Sequence, residues 1–217
     1  MLVADAIVAN SSLNTNIQHR YLSNGCEAYL ERVDFAPLVT LQLWVKTGSL
    51  DETPEEFGMA HVLEHMLFKG TEKFPKTGDV ARQVELAGGE INAYTTFDRT
   101  VYYIDLPSEH CGVALDLLAD AVLHSTLPAD EVAREKDVIL REIAMTRDDP
   151  ENRLWDTLFS VAFREHPYRQ PIIGHREVFA AVSREDLMGY YRSRYVPNNL
   201  VVVVVGDVEA GAVRTMV

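Results

Sequence analysis

A short run at residues 57–68, FGMAHVLEHMLF, places two histidines and a glutamate in sequence that is otherwise typical of a buried helix. Residues of an α-helix are about 100° apart around its axis, so His61 and His65 lie one turn apart with Glu64 on the same side. Imidazoles at positions i and i+4 can bind one metal ion, usually Zn²⁺. A carboxylate beside them that is not a ligand can accept a proton from water. The run therefore predicts a metal-dependent hydrolytic site on a helix.

The same residues allow a second interpretation. A histidine on an apolar helix face is usually a core histidine with one hydrogen-bond partner, and Glu64 would then be a surface residue. Catalytic zinc takes three protein ligands and leaves one position for water. The metal interpretation therefore requires a third ligand elsewhere in the chain.

Two glutamates are candidates for that ligand. Glu135 and Glu142 lie seven residues apart in a helix predicted at residues 128–147, so they differ by about 20° around its axis and both lie in an apolar stripe. A buried carboxylate is unfavourable unless it is paired or bound to a metal. A salt bridge to Arg82 or Arg99 is the alternative explanation. Periodicity leaves open which glutamate binds a metal.

The remaining patterns predict an α+β fold, a two-layer domain in which helices cover a mostly antiparallel mixed sheet. The run at residues 200–205, one leucine followed by five valines, predicts a central strand buried on both faces. A helix through Leu154, Leu158 and Val161 is expected after Pro150, with Trp155 in the core. Residues 1–18 are polar and aperiodic, which predicts a flexible segment. The other predicted strands span residues 28–33, 38–46, 91–96 and 100–106. The other predicted helices include residues 78–87 and 183–194, and a long helix that is capped by Ser108 and has Val113, Leu117, Ala121 and Val122 on its apolar face.

Composition excludes several classes of function. The formal net charge of −13 does not favour binding to nucleic acid. The two cysteines, Cys26 and Cys111, have no C-x-x-C spacing, so neither a disulfide framework nor a cysteine zinc site is expected. The longest apolar run, residues 200–205, is too short to span a membrane.

Residues 1–10 do not resemble a secretory signal, which predicts a cytoplasmic protein, or a periplasmic one if a leader was removed.

Several separated stretches together resemble the pitrilysin/insulinase family of zinc peptidases, and within it the branch of the processing peptidases. The H-x-x-E-H spacing of the first stretch is the inverzincin pattern. The similarity extends over residues 21–208 in the order expected for that family. The stretches are HVLEHMLFKGT at 61–71, GGEINAYT at 88–95, EKDVILRE at 135–142, HPY with PIIG at 166–174, and YVPNN ahead of GDV at 195–208.

The resemblance implies a role for each site residue. His61, His65 and Glu142 would bind one Zn²⁺ per domain, Glu64 would be the general base that acts on a zinc-activated water, and Glu135 would be a supporting catalytic carboxylate near the site. An edge strand would pair with the backbone of the substrate, because unpaired main-chain groups can bind an extended peptide. The residues of that strand are Asn92, Ala93, Tyr94 and Thr95.

The resemblance also implies a domain organisation and a function. Residues 19–217 would form the N-terminal metal-binding domain of a zinc metalloendopeptidase, truncated before a second related domain or subunit that closes the chamber. Its substrate would be a peptide or an unfolded polypeptide, and the isolated fragment could be inactive without the second domain. The alternative is a non-catalytic scaffold or partner subunit with the same fold.

Overall fold

The strands that the structure describes form one mixed sheet. The computed structural model describes residues 16–209. Its strands are β1 (Gln18–Tyr21), β2 (Glu27–Arg32), β3 (Leu38–Val45), β4 (Glu90–Thr95), β5 (Thr100–Pro107) and β6 (Leu200–Gly206). They lie in the order β1-β2-β6-β3-β5-β4. Neighbouring strands are antiparallel except β2 and β6, which are parallel. Consequently, β1 and β4 are the two edge strands.

The α-helices form a second layer and an outer group. The helices within residues 16–209 are α1 (Met59–Met66), α2 (Asp79–Leu86), α3 (Cys111–Leu123), α4 (Ala129–Asp148), α5 (Pro150–Ala162), α6 (Arg176–Ala181) and α7 (Arg184–Arg194). Helices α1, α2 and α3 contact strands, whereas α4 contacts α1, and both α5 and α6 contact α4. This arrangement places α4 beside the motif helix α1. None of these helices combines the length and the apolar composition that crossing a membrane requires.

Side chains of the central strands are alternately buried and half-buried, and the buried ones form the core. In β3 the side chains of Val39, Leu41, Leu43 and Val45 are buried, and the residues between them are half-buried. Successive side chains of a strand point to opposite faces of the sheet, so one face of β3 lies against the helices. Leu41 pairs with Ile104 of β5, and both are fully buried. Burial of each such side chain stabilises the fold by about 1.5–3 kcal/mol.

The predicted α+β architecture with a mostly antiparallel mixed sheet is confirmed, but the burial of its central strand differs. The run at residues 200–205 lies in β6, between β2 and β3. Only Leu200, Val202 and Val204 are buried, and the valines between them are half-buried. The prediction of burial on both faces is wrong. The three buried side chains belong to the core that the helices also form, whereas the valines between them point to the opposite face of the sheet.

Two short elements are missing from the predicted set. The first is strand β1, which begins at Gln18, the last residue of the segment 1–18 that was predicted to be flexible. Residues 1–15 of that segment lie outside the described residues. A four-residue edge strand is too short to show a clear alternation. Helix α6 has six residues and is likewise too short for a recognisable period.

Helix α5 exposes apolar side chains. Leu154, Leu158 and Val161 have relative exposures of 67%, 51% and 72%, and Trp155 has 52%. The prediction of a core tryptophan is therefore wrong. The reason is that α5 packs mainly on α4 and on the turn Pro167–Arg169, so this apolar stripe is left largely uncovered within residues 16–209.

Candidate metal centre

The motif helix α1 begins at a constrained turn. Gly58 has a φ of +98°, a left-handed conformation that favours glycine. Glu52 accepts hydrogen bonds from the backbone N–H groups of Gly58 and Ala60 at 2.8 and 2.7 Å. Burial raises the pKa of Glu52 to about 8, although both backbone donors lower it. This carboxyl group satisfies N–H groups at the start of α1 that have no partner inside the helix, so it holds the start of the helix in place.

Helix α1 is amphipathic in an unusual way. One side packs in the core, whereas the three polar residues of the motif, His61, Glu64 and His65, lie half-buried on the other side. The two imidazole rings are 4.7 Å apart between centroids and meet edge to face. The polar side faces α4, which supplies the carboxylates. The core side of α1 consists of Met59, Ala60, Val62, Leu63 and Met66.

Three side chains converge between α1 and α4. Nε2 of His61 lies 3.7 Å from Oε1 of Glu142, and Nε2 of His65 lies 3.7 Å from its Oε2. One potential ligand atom from each of the three residues lies within 4.8 Å of the others. The Glu142 side chain is 41% exposed, whereas those of His61 and His65 are 13% and 24% exposed. The cluster is therefore open to solvent on the side of Glu142.

The chemistry of this cluster fits a zinc ion. Two imidazoles and a carboxylate are a ligand set of catalytic zinc sites, and a metal ligand must be deprotonated. Burial, together with the charge of the neighbouring His65, lowers the pKa of His61 to about 4. The His61 ring is consequently neutral at neutral pH, the form that binds a metal.

Glu135 lies on the other side of His65. Its Oε2 lies 3.2 Å from Nδ1 of His65, and its Oε1 accepts a 2.6 Å hydrogen bond from Nζ of Lys69. Glu135 is buried, with 7% relative exposure. Burial raises the pKa of Glu135, but the hydrogen bonds and charges of Lys69 and His65 outweigh this and hold that pKa below its usual value. Glu135 therefore contacts the histidine nitrogen that faces away from Glu142.

Glu64 connects the helix to the edge strand. The hydroxyl of Thr95 donates a 2.6 Å hydrogen bond to Oε2 of Glu64. Burial raises the pKa of Glu64, and the Thr95 hydrogen bond and the nearby His65 counteract that effect only in part. A carboxylate with a raised pKa beside the candidate metal centre is suited to accept a proton.

The edge strand itself lies beside the cluster. Strand β4 pairs with β5 on one side and has no strand on the other within residues 16–209. Asn92 and Tyr94 are exposed, whereas Ala93 and Thr95 are half-buried. An edge strand presents unpaired N–H and C=O groups, so the backbone of an extended peptide can add to it.

An open cleft of about 500 Å³ lies beside the cluster. His61, Glu64 and Glu142 are among the residues that line it. Three aromatic side chains, Trp155 and Phe159 of α5 and Tyr168, also line it. The sequence patterns did not predict this aromatic wall, because its residues come from separate elements. They predicted neither the side-chain contact of Thr95 nor that of Lys69, although Lys69 lies four residues after His65.

Two family models match parts of this chain. The model of the family described as Insulinase (Peptidase family M16) matches residues 28–176, more than half of the chain. The chain belongs to this family. A second model, described as Peptidase M16 inactive domain, matches residues 181–217. The predicted membership of the insulinase family is thus confirmed.

Three M16 relatives illustrate the similarity. The chain is 35% identical over 191 residues to an uncharacterized zinc protease, YmxG, of Bacillus subtilis, covering 88% of this chain and 46% of the relative. It is 36% identical over 188 residues to the mitochondrial-processing peptidase subunit beta of Lentinula edodes, covering 87% and 40%. A crystal structure of a protease from Helicobacter pylori matches with a TM-score of 0.89 at 29% identity, covering 93% and 49%. The chain thus spans less than half the length of these relatives.

Proposed function

We propose that this chain is the metal-binding part of a zinc-dependent endopeptidase and that Glu64 is the general base for hydrolysis of the peptide bond. The observation that carries the proposal is the convergence of His61, His65 and Glu142 beside Glu64 and β4, an edge strand of the sheet within residues 16–209. The names of the relatives, zinc protease and processing peptidase, support the same reaction class.

His61 and His65 would hold the zinc ion through Nε2, and Glu142 would hold it through its carboxylate, because these atoms face one another. When bound, zinc supplies a Lewis acid that lowers the pKa of water to about 7 and polarises a peptide carbonyl. Glu135 would support the site through His65 without being a ligand, since Oε2 of Glu135 faces Nδ1.

Glu64 would take a proton from the attacking water and pass it to the leaving amine. Its raised pKa favours proton uptake, and its hydrogen bond to Thr95 holds one carboxylate oxygen in place. Glu64 lies among the residues that line the cleft, so a peptide bond in the cleft is within its reach.

Strand β4 would bind the substrate through its backbone. Main-chain hydrogen bonds from residues 92–95 do not depend on the side chains of the peptide, so a peptide or an unfolded polypeptide of varied sequence would fit. Because the same strand carries Thr95, substrate binding would take place next to the base. This position suits cleavage within a chain and not only at its end.

A second related domain or subunit would complete the chamber. The relatives are more than twice as long as the part that this chain covers, which supports a partner of similar size. A non-catalytic scaffold or partner subunit on the same fold is the second candidate, and the presence of His61, Glu64, His65 and Glu142 together argues against it. The division at residue 19 and the cytoplasmic location stay predictions.

A cleavage assay tests the proposal. The full-length gene product, purified without chelator, is incubated with unstructured peptides, then treated with chelator and resupplied with zinc, while elemental analysis measures the bound metal. We expect about one zinc per chain, internal cleavage, loss with chelator and recovery with zinc. Bound zinc without cleavage would favour the scaffold, and absence of zinc would reject the metal site.

A further inference from the structure

Lys69, Glu135 and His65 form a continuous chain of contacts that ends at the candidate metal centre. Nζ of Lys69 donates to Oε1 of Glu135 at 2.6 Å, and Oε2 of Glu135 lies 3.2 Å from Nδ1 of His65. The other ring nitrogen of His65, Nε2, lies 3.7 Å from Oε2 of Glu142. The two ring nitrogens of His65 therefore face two different glutamates.

The proton position on His65 follows from this arrangement. A neutral imidazole has one N–H and one nitrogen with a lone pair, and an ionised carboxylate can only accept. Glu135 lies within hydrogen-bond distance of Nδ1, at 3.2 Å, whereas Glu142 lies 3.7 Å from Nε2, so this arrangement favours the proton on Nδ1 and the lone pair on Nε2. His61 differs, because its Nδ1 is buried without a hydrogen-bond partner among the described residues.

Glu135 needs Lys69 to keep this orientation. A carboxylate with 7% exposure is stable as an anion only if it is paired. Lys69 follows α1, and its backbone is held by two hydrogen bonds, from its own N–H to the Met66 carbonyl and from the Thr77 hydroxyl to its carbonyl. The backbone of Lys69 is therefore held in place, and its Nζ donates to Oε1 of Glu135, whose other oxygen faces His65.

We propose that Lys69 is a positioning residue that, through Glu135, keeps the proton of His65 on Nδ1 and so prepares Nε2 for the metal. The part of this inference that concerns the metal rests on the proposed zinc site. The part that concerns the proton can be measured in the metal-free protein, so the two can fail separately.

The experiment uses the full-length gene product with ¹⁵N-labelled histidine. Long-range ¹H–¹⁵N correlation spectra of the metal-free protein report which ring nitrogen carries the proton, and a His65→Asn variant assigns the signal. Zinc affinity is measured by competition with a chromogenic chelator. The variants are Lys69→Met, which removes the donor, and Lys69→Arg, which keeps it. Lys136→Met is the control, because Lys136 is also half-buried and donates to a backbone carbonyl, that of Val182.

We expect the wild type and Lys69→Arg to carry the His65 proton on Nδ1. Lys69→Met should show a mixture of both tautomers and bind zinc about tenfold more weakly, the lower end for loss of such outer contacts. Lys136→Met should match the wild type in both measurements. An unchanged Nδ1–H signal in Lys69→Met would overturn the proposal, as would a wild type protonated on Nε2.

Two further results separate the positioning role of Lys69 from folding and from zinc binding. If Lys69→Met does not fold, Lys69→Gln is measured in its place, and an unchanged tautomer in that variant rejects the role of the lysine charge. If the wild type binds no zinc but the tautomer changes as expected, the zinc function fails and the positioning role of Lys69 stands.

Discussion

The Thr95 hydroxyl donates a 2.6 Å hydrogen bond to Oε2 of Glu64, which connects the edge strand β4 to the motif helix α1. Thr95 lies at the end of the strand proposed to bind the substrate backbone, and Glu64 is the proposed base. A peptide added to β4 therefore lies next to the side chain that would take up the proton. This single contact relates substrate binding to the position of the base.

Replacement of Thr95 tests this relationship. Thr95→Val has nearly the same shape but cannot donate, and a hydrogen bond to a charged group contributes about 1.5–3 kcal/mol. We expect kcat to fall at least about tenfold, since about 1.4 kcal/mol corresponds to one order of magnitude, with KM little changed. Thr95→Ser should retain most of the activity. Steady-state kinetics on an unstructured peptide measures both, and equal kcat values for the valine variant and the wild type would contradict the role.

Glu64→Gln separates metal binding from proton transfer. The amide has the shape of the carboxylate but does not accept the proton, so we expect a loss of about 10²–10⁴ in turnover with zinc content unchanged. Elemental analysis and a peptide cleavage assay are the measurements. Glu55→Gln, a nearby exposed glutamate, is the matched control and should leave both unchanged. Normal turnover by the Glu64 variant would refute its assignment as base.

Glu142→Ala tests the third ligand. The variant leaves Glu135 in place beside Nδ1 of His65, where it cannot reach the nitrogens that face Glu142. We expect zinc content to fall well below one per chain after dialysis, measured by elemental analysis. Asp137→Ala, an exposed carboxylate on the same helix, should retain zinc. Stoichiometric zinc in the Glu142 variant would place the third ligand elsewhere.

The elements that carry the site could be predicted because their patterns are local. The spacing of His61 and His65 defines one helical turn, and the alternating runs before and after residues 97–99 define the hairpin of β4 and β5. Helical periodicity also identified Glu135 and Glu142 as unusual carboxylates in α4. In each case the pattern and the helix or strand cover the same short stretch of sequence, so the local sequence is sufficient to predict the element.

The roles of the two glutamates could not be predicted from periodicity for a physical reason. Residues seven apart differ by only about 20° around a helix but by about 10 Å along its axis. Which of them meets the imidazoles depends on where α4 crosses α1, and that is set by packing between distant parts of the chain. The same limit applies to Trp155, whose exposure depends on what α5 packs against, and to the contact of Lys69 with Glu135.

Glu52 predicts a dependence of stability on pH. Burial raises its folded pKa to about 8 from 4.5. A carboxyl group with a raised folded pKa binds its proton more tightly in the folded state, so its contribution to stability is complete below pH 4.5 and is lost as pH rises through about 8. Glu52→Gln removes this titration. The wild type should therefore lose stability relative to the variant as pH rises between these limits. The loss, measured as the difference between their free energies of unfolding, should be a few kcal/mol at most, since one pKa unit is about 1.4 kcal/mol.

Urea unfolding at several pH values, with chelator present so that metal binding does not contribute, measures that difference. Glu55→Gln is the control for removal of a charge near the same helix. A constant difference between the wild type and Glu52→Gln across this range would show that Glu52 is ionised to the same extent in both states.

The last prediction concerns the face of α4 that is turned toward the core. Ile139 is fully buried between Glu135 and Glu142, whereas the adjacent Val138 is 38% exposed. Ile139→Ala should lower the free energy of unfolding by about 2–5 kcal/mol because it leaves a cavity. Val138→Ala should change it by about 0.5 kcal/mol. Urea unfolding compares the two. A larger loss for Val138→Ala would mean that α4 is turned about its axis by about 100°, which would move Glu142 away from both imidazoles.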